Sequence, residues 1–276
     1  MLRVPKIALR KLQLGFMRLI PSIGFSGAPT INITIGASTD DFNLFTAAGS
    51  PSGRVNVVLT IAPGIELGST STATAGLVLG SGWNSGSKIQ IVNGGTIMGK
   101  GGKGGQGEGA SGCTPIAPVA AGVGGPAVDA TGLPSTGMLD FYNNGTIAGA
   151  GGGGGYGGAG CSPGTFSFGG GGGGSGRGRT TTTGGAGGAA NGSPLNIPGV
   201  AGGSGTPSVA GIGGVGGNHP NTNDSGGNGG DFAAAGTNGL SNSAPYGSGA
   251  AAGAATLGDS KINFKVVGTI LGSRTG

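Results

Sequence analysis

Leu139-Asp-Phe-Tyr-Asn-Asn-Gly-Thr-Ile-Ala-Gly-Ala-Gly-Gly-Gly-Gly-Gly155 joins the two patterns from which the chain is built. Its first part alternates apolar and polar residues, turns at glycine and resumes as Thr-Ile-x-Gly. Its second part is almost pure glycine. The first part recurs as Ile89-Gln-Ile-Val-Asn-Gly-Gly-Thr-Ile-Met-Gly99 and as Ile262-Asn-Phe-Lys-Val-Val-Gly-Thr-Ile-Leu-Gly272. A period of two broken by a glycine turn signals a strand–turn–strand unit. Three copies of one unit predict three neighbours in one β layer.

The glycines, 73 of 276 residues, come in blocks rather than in a Gly-X-Y frame, which excludes a collagen triple helix. Examples are Gly151 to Gly155, Gly169 to Gly174, Gly213-Gly-Val-Gly-Gly217 and Gly226-Gly-Asn-Gly-Gly230. Read as extended segments, the blocks cover 99–107, 120–125, 148–160, 168–176, 184–190, 199–205, 210–217, 225–230, 236–240 and 247–254. If successive segments run antiparallel, the second returns to meet the repeat at 139–149, and the tenth returns to meet the repeat at 262–272. That closure predicts an ordered array rather than a loose tail. A glycine chain can adopt polyproline II geometry, with three residues per turn and outward N–H and C=O groups. Only side-by-side packing satisfies those groups, so the expected fold is a sandwich of antiparallel polyglycine II helices. The pure glycine runs should lie at its centre.

Ahead of the array, the alternations at Ile31-Ile33-Ile35, Val55-Val57-Leu59-Ile61 and Ile89-Ile91 predict a small β module over 30–98, with Trp83 and Phe42 in its core. Almost no α-helix is expected. The division that follows is 1–29, an N-terminal docking segment; 30–98, the β attachment module; 99–255, the array; and 256–276, a C-terminal strand returning to the module.

Charged residues are 8% of the chain and aromatics 5%. Five of the 14 basic residues (Arg3, Lys6, Arg10, Lys11, Arg18) precede residue 20, which leaves nine bases against nine acids. A neutral body argues against nucleic acid as a partner. Lys11 and Arg18 interrupt the apolar residues of the first segment, so no membrane span is read there. Leu12, Leu14, Phe16, Leu19, Ile20 and Phe25 are instead candidate docking anchors.

His219 is the single histidine. It has no evident catalytic or metal-ligating company, so no catalytic residue, metal or cofactor is assigned and an enzyme is not expected. The Gly94–Gly101 run lacks the Ser or Thr that completes a phosphate loop. By the segment count, one end of the array carries the loops 108–119, 161–167, 191–198, 218–224 and 241–246. The opposite turns (Arg177 to Thr183, Thr206 to Val209, Asp231 to Ala235) are plainer and face the β module. Loops on a rigid frame that carry apolar, aromatic and Asn residues describe a recognition surface. Its candidates are Thr114, Pro115, Ile116, Phe166, Leu195, Asn196, Ile197, His219, Asn221, Asn223, Asp224, Asn242 and Tyr246. Cys113 and Cys161 fall at the same end, as a candidate disulfide or as two separate thiols.

The Asn-Gly-Thr-Ile-x-Gly lead-ins and the glycine blocks, over roughly 89–276, resemble the small receptor-recognising adhesins that cap the long tail fibres of T-even-like bacteriophages. The resemblance implies an N-terminal region seated on a trimeric fibre tip, a polyglycine II sandwich, and distal loops that bind a host outer-membrane protein or surface glycan. It places the protein in the virion, at the distal tip of the fibre. Two other classes share parts of the pattern. A glycine-rich ice-binding protein would expose a flat face of regular Thr or Ala, whereas the third positions here are irregular. A bacterial cell-surface glycine-rich protein usually carries a secretion signal or anchor.

Overall fold

The computed structural model describes residues 27–276 except 108, 112–113, 163–165, 169–170, 180–189, 192–194, 216–223 and 242–245. Among these residues the only helices are a four-residue α-helix, Leu44–Ala47, and the 3₁₀ turn Asp259–Lys261.

Three five-stranded sheets, parallel throughout, are visited in strict rotation. The first face stacks Thr30–Ile35, Asn56–Ile61, Lys88–Asn93, Leu139–Asn143 and Ile262–Val266. The second stacks Thr39–Asp40, Glu66–Gly68, Thr96–Met98, Thr146–Ala148 and Thr269–Leu271. The third stacks Phe42–Asn43, Leu77–Val78, Val128–Asp129, Thr256–Leu257 and Arg274–Thr275. This is a three-faced solenoid of five rungs. Each rung covers the apolar row of the next, since one rung alone cannot bury its own.

Like residues stack inside it. Ile31, Val57, Ile89, Leu139 and Ile262 share one register position, and Ile33, Leu59, Ile91, Phe141 and Phe264 another. Leu59, Ile91, Phe141, Ile97 and Ile147 are fully buried. Trp83 is buried too, its indole N–H donating to the Leu79 carbonyl at 2.9 Å, while Phe42 is half-buried against the core. Where a buried column turns polar, it forms an amide ladder. Asn93 Nδ2 donates to Asn143 Oδ1 at 2.8 Å, and Asn143 Nδ2 donates to the Val267 carbonyl at 2.7 Å. Burying these amides is tolerated because they find partners.

The three sequence repeats are indeed neighbours, rungs three to five of the first two faces. One boundary and one register differ from the sequence reading. The β module does not end at 98, because residues 128–148 belong to the solenoid as well. The third repeat also slips by one residue. Tyr142 pairs with Val266 rather than Lys265, which bulges out and sets its ammonium 3.4 Å from Asp140.

The glycine-rich chain leaves the solenoid twice, both times between the second and third faces: after Met98 in the third rung and after Ala148 in the fourth. Its described part forms nine extended segments, approximately 99–107, 119–125, 149–159, 171–178, 199–205, 209–215, 224–230, 234–240 and 246–254, joined by backbone hydrogen bonds. Along the segment 149–159, successive amides address three different neighbours. Gly151 donates to the Arg177 carbonyl, Gly152 to Ala234 and Gly153 to Gly122; Gly154 then returns to Gly174 and Gly155 to Thr237. The hydrogen-bond direction therefore repeats every three residues. The same segment accepts from Gly102, Gly230 and Ala250, so six neighbours surround it. A middle layer of 246–254, 149–159, 171–178 and 199–205 lies between 119–125 with 99–107 on one side and 234–240, 224–230 and 209–215 on the other. No described segment meets 171–178 between 99–107 and 199–205. The expected segment 184–190 lies almost wholly outside the described residues. Pairing partners give the running directions: 149–159 is antiparallel to 171–178 and parallel to 234–240, 171–178 and 199–205 run the same way, and each of the nine has the direction that the count of ten blocks gives it.

Side chains are excluded from this interior by contact with backbone. A Cβ on Gly151 would run into the Gly230 carbonyl, one on Gly153 into Lys103, and one on Gly154 into Gly227. Each ordered residue costs roughly 1–2 kcal/mol of backbone entropy, and a net hydrogen bond returns about 1 kcal/mol. No single segment is stable alone, and the array holds only cooperatively. Gly153→Ala is expected to lower stability by about 1–3 kcal/mol or more in denaturant unfolding. Gly53→Ala, where the added methyl meets nothing within 4 Å, should stay within about 0.5 kcal/mol of the parent.

Candidate functional site

The array has a tethered end and a free end. At the tethered end the three turns read as plain come together on Arg177 and Arg179. Arg177 donates to Asp231 Oδ1 at 2.8 Å and to the Pro207 carbonyl at 2.8 Å, and its guanidinium lies 4.1 Å from the Phe232 ring centre. Arg179 places its stem where a Cβ on Gly68 would be. Its Nε lies 3.4 Å from Glu66 Oε2 and 3.9 Å from Asp40 Oδ1. Both carboxylates belong to the solenoid, so Arg179 bridges its second face to the array.

At the free end three of the predicted loops join one another. Gly109–Ser111 pairs antiparallel with Thr114–Ile116, and Gly160–Ser162 pairs antiparallel with Phe166–Phe168. The third loop ties these hairpins together. Ala190–Asn191 runs parallel to Gly109–Ser111, and Leu195–Ile197 runs parallel to Phe166–Phe168. Thr114, Pro115, Ile116, Phe166, Leu195, Asn196 and Ile197 therefore stand in two small linked sheets. The stretches 109–119, 160–168 and 190–198 contain no Asp, Glu, Lys or Arg.

Ile116 and Tyr246 are exposed, Tyr246 to 52%. Asp224 departs from the surface role read for it: it is buried at the start of the 224–230 segment, and its carbonyl accepts from Gly171. His219, Asn221, Asn223, Asn242 and Cys113 lie outside the described residues, as do Leu12, Leu14, Phe16, Leu19, Ile20 and Phe25. Cys161 stands opposite Ser167 in its hairpin.

The sequence reading missed the exposed aliphatic residues on the segments themselves. Val119 and Val123 are exposed on 119–125, Leu240 on 234–240, and Val209, Ile212 and Val215 on 209–215. The last three recur every third residue, which is the hydrogen-bond period of the array. That spacing was legible in the sequence. Among the described residues no group of His, Cys, Asp and Glu could hold a metal ion, and no helix is long and apolar enough to cross a membrane.

A stack of parallel rungs bearing a glycine array, with paired hairpins at the free end, is a scaffold for presenting loops. The chain matches the family described as phage tail fibre adhesin Gp38 over residues 30–275 and is a member of it. A similar solved structure is the gp37–gp38 adhesin tip complex of the bacteriophage S16 long tail fibre, with 26% identity and a TM-score of 0.54 over 88% of this chain and 81% of that one. No curated protein matches. The protein is a phage tail fibre adhesin, a component of the virion that serves host attachment.

Three carboxyls are held below their usual range. At Asp41 the Thr70 hydroxyl is the main cause, helped by the Thr70 amide, Ser69 and Thr74 against the opposing effect of burial. At Asp231 and Asp259 burial pushes the carboxyl up. The hydrogen bonds and charge of Arg177 and Arg274, with the Phe232 amide and the Thr256 hydroxyl, more than offset it. A carboxyl that binds its proton less readily when folded stabilises the fold above its unfolded pKa, about 3.9, and ceases to do so as pH falls through its folded value. The melting temperature is therefore expected to be flat near neutrality and to fall below about pH 4. Asp231→Asn should remove part of that acid-side loss. A melting temperature that holds steady to about pH 2 would contradict the assignment.

Proposed function

We propose that the nine segments are polyglycine II helices, and that this lattice carries a receptor-binding surface at its free end. The three-residue repeat of hydrogen-bond directions supports the first part, since a threefold screw points successive amides at successive neighbours. The observation that carries the second is the linked pair of hairpin sheets, uncharged, with Ile116 and Tyr246 exposed at the same end. Host attachment then runs through these loops to an outer-membrane protein or surface glycan. The opposite end is seated on a tail fibre protein, a reading supported by the likeness to the gp37–gp38 adhesin tip complex of the S16 long tail fibre, and this puts the adhesin at the distal tip of the fibre. Residues 1–29, with the anchors Leu12 to Phe25, take part in that seating. Pairing of Cys113 with Cys161 would cross-link two of the hairpins, which a non-reducing peptide map would reveal.

Hairpin sheets without charged residues have little to gain from long-range attraction. Binding to host cells is thus expected to change less than about threefold between about 0.05 and 0.5 M salt. Ile116→Asp and Tyr246→Ala, both at exposed positions, should each weaken binding about tenfold or more while leaving the melting temperature in place. Full binding by both variants would remove the recognition surface from this end of the molecule.

A further inference from the structure

Asparagine followed by glycine is chemically labile, because glycine has no side chain to shield its amide nitrogen from the asparagine carboxamide. The sequence holds five such pairs: Asn93-Gly94, Asn144-Gly145, Asn191-Gly192, Asn228-Gly229 and Asn238-Gly239. In three of them both reacting groups are engaged elsewhere. Gly94 donates to the Ile61 carbonyl, Gly229 to Gly211 and Gly239 to Gly247. The Asn93 carboxamide is held in the amide ladder, Asn228 Oδ1 accepts from Gly213 N at 2.9 Å, and Asn238 Oδ1 accepts from Gly249 N at 3.0 Å. Gly192 lies outside the described residues.

Asn144-Gly145 differs. It forms the corner between the first and second faces in the fourth rung, and Asn144 is exposed. Its backbone N–H donates to the Asn93 carbonyl at 2.8 Å. Among the described residues, however, neither its carboxamide nor the Gly145 N–H has a hydrogen-bond partner. The matching corner of the third rung shows the contrast. There Asn93 Oδ1 caps Gly95 N at 3.1 Å, whereas Asn143 Oδ1 accepts from Asn93 Nδ2 and leaves Gly145 uncapped.

We propose that Asn144 is a site of spontaneous deamidation, and that the reaction loosens the glycine lattice. Gly145 N, losing its proton to hydroxide, attacks Asn144 Cγ; ammonia leaves and a cyclic succinimide remains. Water then opens one of its two carbonyls, which yields an aspartyl or an isoaspartyl linkage. The isoaspartyl form carries one extra methylene in the main chain, and this corner has no slack for it. A Cβ on Gly145 would run into the Gly95 carbonyl, and Thr146 N and Thr269 N bond across the corner to Gly95 and Gly145 at 2.9 and 3.1 Å. The longer corner displaces Thr146–Ala148, the strand that leads directly into the central segment 149–159. A virion protein is not renewed by synthesis, so the change accumulates with the age of the particle.

The test incubates purified full-length adhesin in warm, mildly alkaline buffer and follows its peptide map by mass spectrometry, with isoaspartate identified by enzymatic methylation. Locked pairs react only through local opening, so Asn144 should be converted at least about tenfold faster than Asn93, Asn228 and Asn238. In the urea-unfolded chain that difference should vanish. Hydrogen exchange at Gly151 to Gly155 should be faster in the aged wild type than in fresh protein. Asn144→Gln, whose longer side chain closes a ring far more slowly, should age without that change. Conversion of Asn228 or Asn238 ahead of Asn144, an Asn144 that stays unmodified, or a preference for Asn144 that persists in urea would overturn the proposal. So would equal lattice exchange in the aged wild type and the aged Asn144→Gln variant.

Discussion

Everything beyond the solenoid depends on a ladder that does not stop where the strands stop. Thr96–Met98 and Thr146–Ala148 are paired in parallel, and the chains that follow them stay paired: Gly99 donates to Ala148, Gly102 to Gly151, and Gly105 to Gly154. On the return side, Gly124 donates to Ala251 and Ala127 to Ala254, just before Val128 and Thr256 enter the third face as partners. The strand spacing of the solenoid, about 4.7–4.9 Å, is thereby handed to the glycine segments. A lattice with no interior side chains has no packing pattern to define its own register. Here the register is imposed from one edge and spreads through backbone hydrogen bonds.

That dependence explains where glycine is indispensable. The 149–159 segment is surrounded on six sides, and Gly151 to Gly155 each meet a carbonyl at the place a methyl would take. At the periphery the third positions open to solvent and the sequence relaxes, to Lys103 on one segment and to Ile212 on another, both exposed. Loop composition does not enter the lattice hydrogen bonds. A frame of this kind can carry very different tip sequences without renegotiating its core, which suits a protein that serves host attachment.

Much of this was legible in the residues. The Thr-Ile-x-Gly repeats gave away their stacking, and the alternation of glycine blocks gave the running directions, because both are periodic and local. What was hidden is equally physical. The third face is built from two-residue strands such as Val128–Asp129 and Thr256–Leu257, too short to show any period, so the rotation through three faces could not be seen. The Lys265 bulge falls where the third repeat has Val266 in place of the ladder asparagines Asn93 and Asn143, a contrast that means something only once the ladder is known. Asp224 looked like a loop residue from its Asn-rich surroundings, and only the neighbouring segments reveal its burial. The aliphatic repeat at Val209, Ile212 and Val215 was readable, but only with the three-residue period already in hand.

The central claim is that the glycine segments form an ordered lattice, and native-state hydrogen exchange at Gly151 to Gly155 tests it most directly. The account predicts protection there comparable to that of Leu139–Asn143 in the adjoining solenoid, with the amides of the tip hairpins exchanging faster. Random-coil exchange at Gly151 to Gly155, beside slow exchange at Leu139–Asn143, would contradict it and leave a β-solenoid carrying loose glycine chains.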